Sequence, residues 1–191
     1  SPTASTCAPA KTSSVNVRQW CSCAPSNLAS WSKIDLQGNH PHRRRALGFE
    51  RYEVSNFAKP GYRSRHNLNY WKRGEYIGLG VAASSCINNR RFTNTESIDE
   101  YVHCLLNDKY AEVYSEQIEG DEIISEYVML AMRTSDGINL ADYTRNFGSD
   151  FLTDFKDKIE LERPYLDITD DRVRIKDEYL FTQNSIIVNF I

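Results

Sequence analysis

Gly120 to Ile175 reads GDEIISEYVMLAMRTSDGINLADYTRNFGSDFLTDFKDKIELERPYLDITDDRVRI. Ile123, Ile124, Tyr127, Val128 and Ala131 recur at helical spacing, so one face of a first helix is apolar. Ser135-Asp136-Gly137 breaks the pattern. Asn139 can cap a second helix, with Leu140, Tyr143 and Phe147 inward and Gly148 ending it. Ser149 can cap a third, with Phe151, Leu152, Phe155 and Ile159 along one side, stopped before Pro164. Leu166 and Ile168 then alternate with polar neighbours, as do Val173 and Ile175, and Asp170-Asp171 between them predicts a hairpin turn. A last helix from about Thr182 would bury Ile186, Ile187 and Phe190.

Helices followed by a hairpin form a winged-helix pattern, which on topology alone suggests DNA binding. Charge argues against that. Residues 118–191 hold sixteen acids and eight Lys/Arg. The third helix carries Asp150, Asp154, Asp157, Glu160 and Glu162 against Lys156, Lys158 and Arg163. DNA affinity comes largely from cations neutralising phosphates, so a nucleic-acid partner is not expected.

Working towards the N-terminus, residues 49–117 balance nine charges of each sign. Arg51-Tyr52-Glu53-Val54-Ser55 favours a strand, and Pro60-Gly61 a turn. Glu75 to Val81 is a further candidate strand, and Arg90 to Thr93 another. Ser97-Ile98-Asp99-Glu100 has the form of a capping box. It opens a helix with Ile98, Tyr101, Val102, Leu105 and Leu106 as a packing stripe and His103 on a flank.

Three strings in this block carry distinctive chemistry. They are Tyr52-Glu53-Val54-Ser55-Asn56-Phe57-Ala58-Lys59-Pro60-Gly61, Ser64-Arg65-His66-Asn67-Leu68-Asn69-Tyr70-Trp71 and Tyr76-Ile77-Gly78-Leu79-Gly80-Val81-Ala82-Ala83-Ser84-Ser85. In this order they resemble the radical S-adenosylmethionine family of oxygen-independent coproporphyrinogen III oxidases, and more closely its haem chaperone branch. The resemblance runs from about Phe49 to Ile191. It implies an α/β remnant, the last strands of a partial radical S-adenosylmethionine barrel, followed by an α+β winged-helix-like C-terminal domain. The expected division is 1–48 as a low-complexity head, 49–117 as the end of the barrel and 118–191 as the C-terminal domain.

The family carries a 4Fe-4S cluster on a Cys-x3-Cys-x2-Cys loop. Cys7, Cys21, Cys23, Cys86 and Cys104 do not have that spacing. The resemblance therefore implies a truncated member without radical catalysis of its own. Two alternatives stand beside that reading: an active coproporphyrinogen III oxidase whose cluster segment is missing from this chain, and a non-catalytic protein-interaction module. By resemblance, Gly78, Gly80, Ser84 and Ser85 face S-adenosylmethionine. Many members have Gly-Ala-His-Ser where this chain has Ala82-Ala83-Ser84-Ser85, which removes one imidazole. Arg65, His66 and Asn67 form the candidate substrate site. An arginine can pair with a porphyrin propionate, and a histidine can ligate haem iron or exchange a proton near neutrality. For His66 the plainer alternative is a hydrogen-bonded loop pinned by Tyr70 and Trp71. Cys86 could act as a thiolate ligand or as a small packing residue.

The first 48 residues differ in kind. Six Lys/Arg stand against one acid, and Val15, Val17, Leu28, Ile34 and Leu36 follow no period, too few to offset ordering entropy. The shift in composition at Gly48 reads as a disordered head or an out-of-frame segment. Trp20 and Trp31 are its aromatic exceptions. Arg43-Arg44-Arg45 reads as a solvated run. Cys21-Ser22-Cys23 with His40 and His42 lacks the usual zinc spacing. With no apolar run long enough to span a bilayer and no secretory signal, the expected place is the cytoplasm. The partners implied are haem or a porphyrinogen, and haem-accepting proteins.

Overall fold

A computed structural model describes residues 47–191. The readings of Trp20, Trp31, the Cys21/Cys23/His40/His42 group and the arginine run lie outside the described residues, as does nearly all of the proposed head. The described part is a mixed α/β structure.

It opens with strands β1 (Glu50–Arg51) and β2 (Phe57–Ala58), paired antiparallel. Lys59-Pro60-Gly61-Tyr62 makes the predicted turn, closed by the Tyr62 amide on the Lys59 carbonyl at 2.9 Å. Gly61 takes a φ of 81°, which suits a residue without a Cβ. Helix α1 (Arg65–Trp71) follows, where the sequence reading weighed a loop. Ser64 supplies the reason, its hydroxyl accepting the Asn67 amide as an N-cap.

A three-stranded antiparallel sheet comes next, in the order β3 (Ser84–Ile87), β4 (Arg90–Asn94), β5 (Glu112–Gln117). The expected strand over 75–81 does not form. It is reduced to one bridge between Tyr76 and Cys86. Gly80 at φ 109° and Ala82 at φ 58° turn the backbone out of the extended region. The strand β5 carries no turn-bounded apolar alternation and was not foreseen.

Helix α2 (Ile98–Leu106) joins β4 to β5. Half of its capping box forms: the Ser97 hydroxyl accepts the Glu100 amide at 3.2 Å. Glu100 does not reach back to Ser97. Its carboxylate accepts the Thr95 hydroxyl at 2.6 Å, and that hydroxyl in turn accepts the Ser97 amide at 3.2 Å. The expected packing stripe on α2 is a second difference. Ile98, Val102, Leu105 and Leu106 are all exposed.

Helix α3 (Asp121–Ala131) leads into the main core. Strand β6 (Ile138–Asn139), helix α4 (Leu140–Phe147), the short helices α5 (Phe151–Asp154) and α6 (Lys156–Glu162), the hairpin β7 (Leu166–Ile168) and β8 (Arg172–Ile175), and helix α7 (Gln183–Ile187) complete it. Asn139 caps α4 as predicted, accepting the Asp142 amide at 2.8 Å, and Gly148 ends it in the left-handed region. The third cap is Asp150, one residue beyond the expected Ser149. The third helix is broken at Phe155, whose φ of −109° is not helical. Beyond prediction, β6 adds a third strand to the hairpin, giving the order β6-β8-β7.

Val128, Met132, Ile138, Tyr143, Phe151, Val173, Ile175, Ile186, Ile187 and Phe190 pack into one buried cluster. Tyr143 stands at its centre, with ring centroids of Phe147 at 4.9 Å and Phe151 at 5.2 Å. Its hydroxyl donates to the Asp154 carboxylate at 3.0 Å. Burial, helped by that hydrogen bond, pushes the phenol up to about 12. The folded state therefore holds this proton more tightly than the unfolded chain, whose phenol keeps the ordinary value of 10. The stabilisation is complete below pH 10 and is lost as the pH rises from 10 through about 12. Urea unfolding across that window should show stability falling with pH, with a shallower fall in Tyr143→Phe. An equal fall in both proteins would count against this account.

Candidate functional site

The candidate residues lie on α1 and on the loop that enters β3. His66 and Tyr70 sit one helical turn apart on α1 and meet edge to face, with centroids 4.8 Å apart. Tyr70 meets Tyr76 the same way at 4.7 Å. Tyr76 is held by two backbone hydrogen bonds to Cys86, each 2.9 Å. This aromatic chain places the Arg65/His66/Asn67 turn beside the glycine loop. His66 is exposed, and its imidazole is braced by a ring on a regular helix. Arg65 is also exposed, with no ion-pair partner among the described residues. Asn67 is half-buried, its amide 3.5 Å from the Tyr52 hydroxyl.

The glycine loop lies tightly on its neighbours. The Gly78 amide donates to the Ser85 hydroxyl at 3.0 Å, and Ser85 is 1% exposed. A Cβ on Gly78 would come within 2.2 Å of the Ser84 carbonyl oxygen, so the loop can close here only with glycine. The Gly80 amide donates to the Tyr101 hydroxyl at 3.2 Å, and its carbonyl accepts from the Asn94 side-chain Nδ2 at 2.8 Å. Ser84 stays exposed, sharing a hydrogen bond with Thr93 at 3.1 Å. Of the four residues, Ser85 is therefore spent on the loop's own geometry, while Ser84 presents its hydroxyl outward.

Burial pushes the Cys86 thiol up, more than the nearby Arg91 and Arg73 lower it. A raised thiol is a poorer source of thiolate. Tyr76 is likewise raised by burial. Among the described residues no group of three or more His, Cys, Asp or Glu is placed to hold a metal.

A charged network behind this site was not foreseen. Glu126 on α3 accepts from Arg73 Nε at 2.7 Å and from Arg91 Nη2. Arg73 Nη1 also donates to Asn89 at 2.7 Å, and Arg91 Nη1 to Glu116 at 2.6 Å. Burial works against the Arg91 charge, but Glu126 and Glu116 outweigh it and hold the guanidinium above its ordinary range. Glu126 lies off the apolar face of α3, among the polar positions of its helix, so nothing in the sequence singled it out. On the other side of α1, a cleft of about 450 Å³ opens towards α3 and α4, with Leu68, Trp71 and Tyr127 among its walls. Asp142 and Arg145 at its rim pair with each other.

Comparison with known proteins finds similarity to the same family. Residues 118–178 match the HemN C-terminal domain. The "Heme chaperone HemW" of Lactococcus lactis is 28% identical over 146 residues, 75% of this chain and 38% of its own length. That of Bacillus subtilis is 30% identical over 54% of this chain and 27% of its own. That of Mycobacterium tuberculosis H37Rv is 36% identical over 52% of this chain and 25% of its own. The solved coproporphyrinogen III oxidase HemN of Escherichia coli, described as a radical SAM enzyme, superposes with a TM-score of 0.64 at 14% identity, covering 84% of this chain and 41% of that one. Residues 118–178 thus match a HemN C-terminal domain, and a longer stretch of this chain is similar to the HemW proteins.

The chain spans about a quarter to two fifths of the length of these relatives. The HemN C-terminal domain match begins at the end of β5 and includes α3. Glu126 therefore ties that domain to the block bearing α1 and the glycine loop. Among the described residues no helix is long and apolar enough to cross a membrane.

Proposed function

We propose that this chain is a haem- or porphyrin-binding member of the haem chaperone branch, with no radical catalysis of its own. In this reading residues 49–117 are the end of the family barrel and 118–191 a winged-helix-like cover, behind the 1–48 head. The observation that carries it is His66, an exposed imidazole braced on a capped helix in a chain whose curated relatives are named haem chaperones. An imidazole nitrogen of His66 would hold the haem iron. Arg65 is free to pair with a propionate, and the Asn67 amide adds a donor. Handing haem on to an acceptor protein in the cytoplasm completes the role.

Gly78, Gly80 and Ser84 form the face offered to S-adenosylmethionine, with Ser85 supporting the loop from beneath. The described residues do not fit a 4Fe-4S cluster. Their cysteines, Cys86 and Cys104, are free and far apart in sequence, and neither belongs to a group of three or more His, Cys, Asp or Glu placed to hold a metal. No step is therefore routed through a cluster here. A second reading, an active coproporphyrinogen III oxidase with its cluster on a segment not in this chain, is favoured by the fold match to HemN.

Titrating the purified chain with haem, followed by visible absorption, tests the proposal. The expected result is a saturable band shift at one equivalent that His66→Ala abolishes, with the circular dichroism unchanged. The absence of any shift, or an identical shift in His66→Ala, would overturn the role given to His66.

A further inference from the structure

The cleft on the far side of α1 takes no part in the proposed haem role. Its volume of about 450 Å³ falls in the range of about 300–1,000 Å³ typical of small-ligand sites. Leu68 and Trp71 stand three residues apart on α1 and form one wall, on the side of the helix away from His66 and Tyr70. Tyr127 and Ala131, one turn apart on α3, form another. Phe147 holds the Tyr127 ring in place, edge to face at 5.3 Å. Leu68, Trp71 and Tyr127 are each only half-buried, so apolar surface, two aromatic rings included, is left open to the same space. A flat apolar body is what such walls accommodate.

The polar groups of the cleft say what that body must carry. The indole N–H of Trp71 and the hydroxyl of Tyr127 make no hydrogen bond among the described residues, although such groups usually find a partner when buried. Burial, with Asp142 nearby, holds the Tyr127 phenol above its ordinary value, so it is a donor at neutral pH. The carboxylates here are already matched. Arg63 Nη1 donates to both oxygens of Asp136, at 2.9 and 2.7 Å, and Arg145 donates to Asp142 at 2.6 Å. Arg172 is held in turn by Asp171 at 3.0 Å. Lys72, just after α1, is exposed and has no ion-pair partner among the described residues. The charge left over at the cleft is therefore a single positive one, beside unused donors. A carboxylate carries one negative charge, whereas a phosphate monoester carries about −1.5 to −2, so the match is to a carboxylate. We infer that this cleft binds a small aromatic carboxylate, its ring against Trp71 and Tyr127 and its anion on Lys72. The site is separate from His66 and does not rest on the haem reading.

Isothermal titration of the full chain with 1-naphthoate tests it. Acetate and 1-naphthalenemethanol, which carry the charge and the ring separately, and 1-naphthyl phosphate serve as comparisons. The expected result is saturable one-to-one binding of 1-naphthoate with a Kd of about 1 mM or tighter, and binding of each comparison probe weaker by about tenfold or more. Lys72→Ala should weaken 1-naphthoate binding about tenfold, Lys72→Arg should keep it, and His66→Ala should leave it unchanged. Lys72 is exposed, so its replacement leaves the fold intact, which circular dichroism verifies. The inference is overturned by an absence of saturable binding, by equal binding in Lys72→Ala, by a comparison probe that binds as tightly as 1-naphthoate, or by loss of binding in His66→Ala. Haem absorption plays no part in the readout, so its failure is separable from that of the proposed function.

Discussion

Glu126→Ala is expected to lower the free energy of unfolding by about 3–5 kcal/mol, the usual cost of removing one member of a buried ion pair. The carboxylate sits between two guanidiniums. Side-chain exposure is 11% for Glu126 and 14% for each of Arg73 and Arg91. With the carboxylate gone, two cations face each other in a poorly hydrated space. Arg91 keeps Glu116, which is 37% exposed and therefore better screened. Arg73 keeps only the neutral Asn89 amide, and its Nη2 is already buried without a partner among the described residues. Urea unfolding followed by circular dichroism measures the loss. A change under about 1 kcal/mol would place this network among solvated surface pairs. Replacing Arg73, Arg91 and Glu126 together by apolar residues should recover much of the stability, because the cost lies in stranded charge and not in lost attraction.

The network also shows where the sequence stops being legible. Helices α3 and α4, the hairpin and α7 could be read because each carries its own period and its own punctuation. Asn139, Gly148 and Asp170-Asp171 act on neighbours a few residues away, and local chemistry decides them. Long-range pairings left no such mark. Glu126 meets Arg91 across 35 residues, and β6 joins β8 through Ile138 and Val173. Strand β5 is set by the register of β4 more than by its own composition, with Thr93 opposite Tyr114 and Arg91 opposite Glu116. The stretch 75–81 failed for the opposite reason, since its β-favouring residues are overruled by the turn at Gly80 and Ala82. On α2 the period was right and the inference drawn from it was not. An apolar stripe announces that a face is to be covered but does not say by what. For the candidate site, residue types were legible and their surroundings were not. His66 was visible as a possible ligand, while the Tyr70 and Tyr76 rings that brace it belong to a helix and a bridge that the sequence did not announce.

Phe151→Ala should cost about 3–5 kcal/mol, the range for emptying a buried aromatic site. Phe151 has no exposed surface. It stacks on Phe155 at 4.8 Å and meets Tyr143 edge to face at 5.2 Å. The broken helix makes collapse into the cavity difficult, because Asp150 fixes its start through the Thr153 amide and hydroxyl. Phe151→Leu keeps most of the volume and should lose less. This substitution also tests the unity of the molecule. Phe151 shares no partner with Glu126, so the two losses should add in the double variant if residues 47–191 unfold as one cooperative unit. If the HemN C-terminal domain unfolds independently, Phe151→Ala will shift only its own transition, and a second transition will stand unmoved. A single additive transition would mean that α1 and its histidine are held in place by the aromatic core behind α3, through Glu126. On the proposed haem reading, damage in that core would then weaken binding at His66 without touching the imidazole.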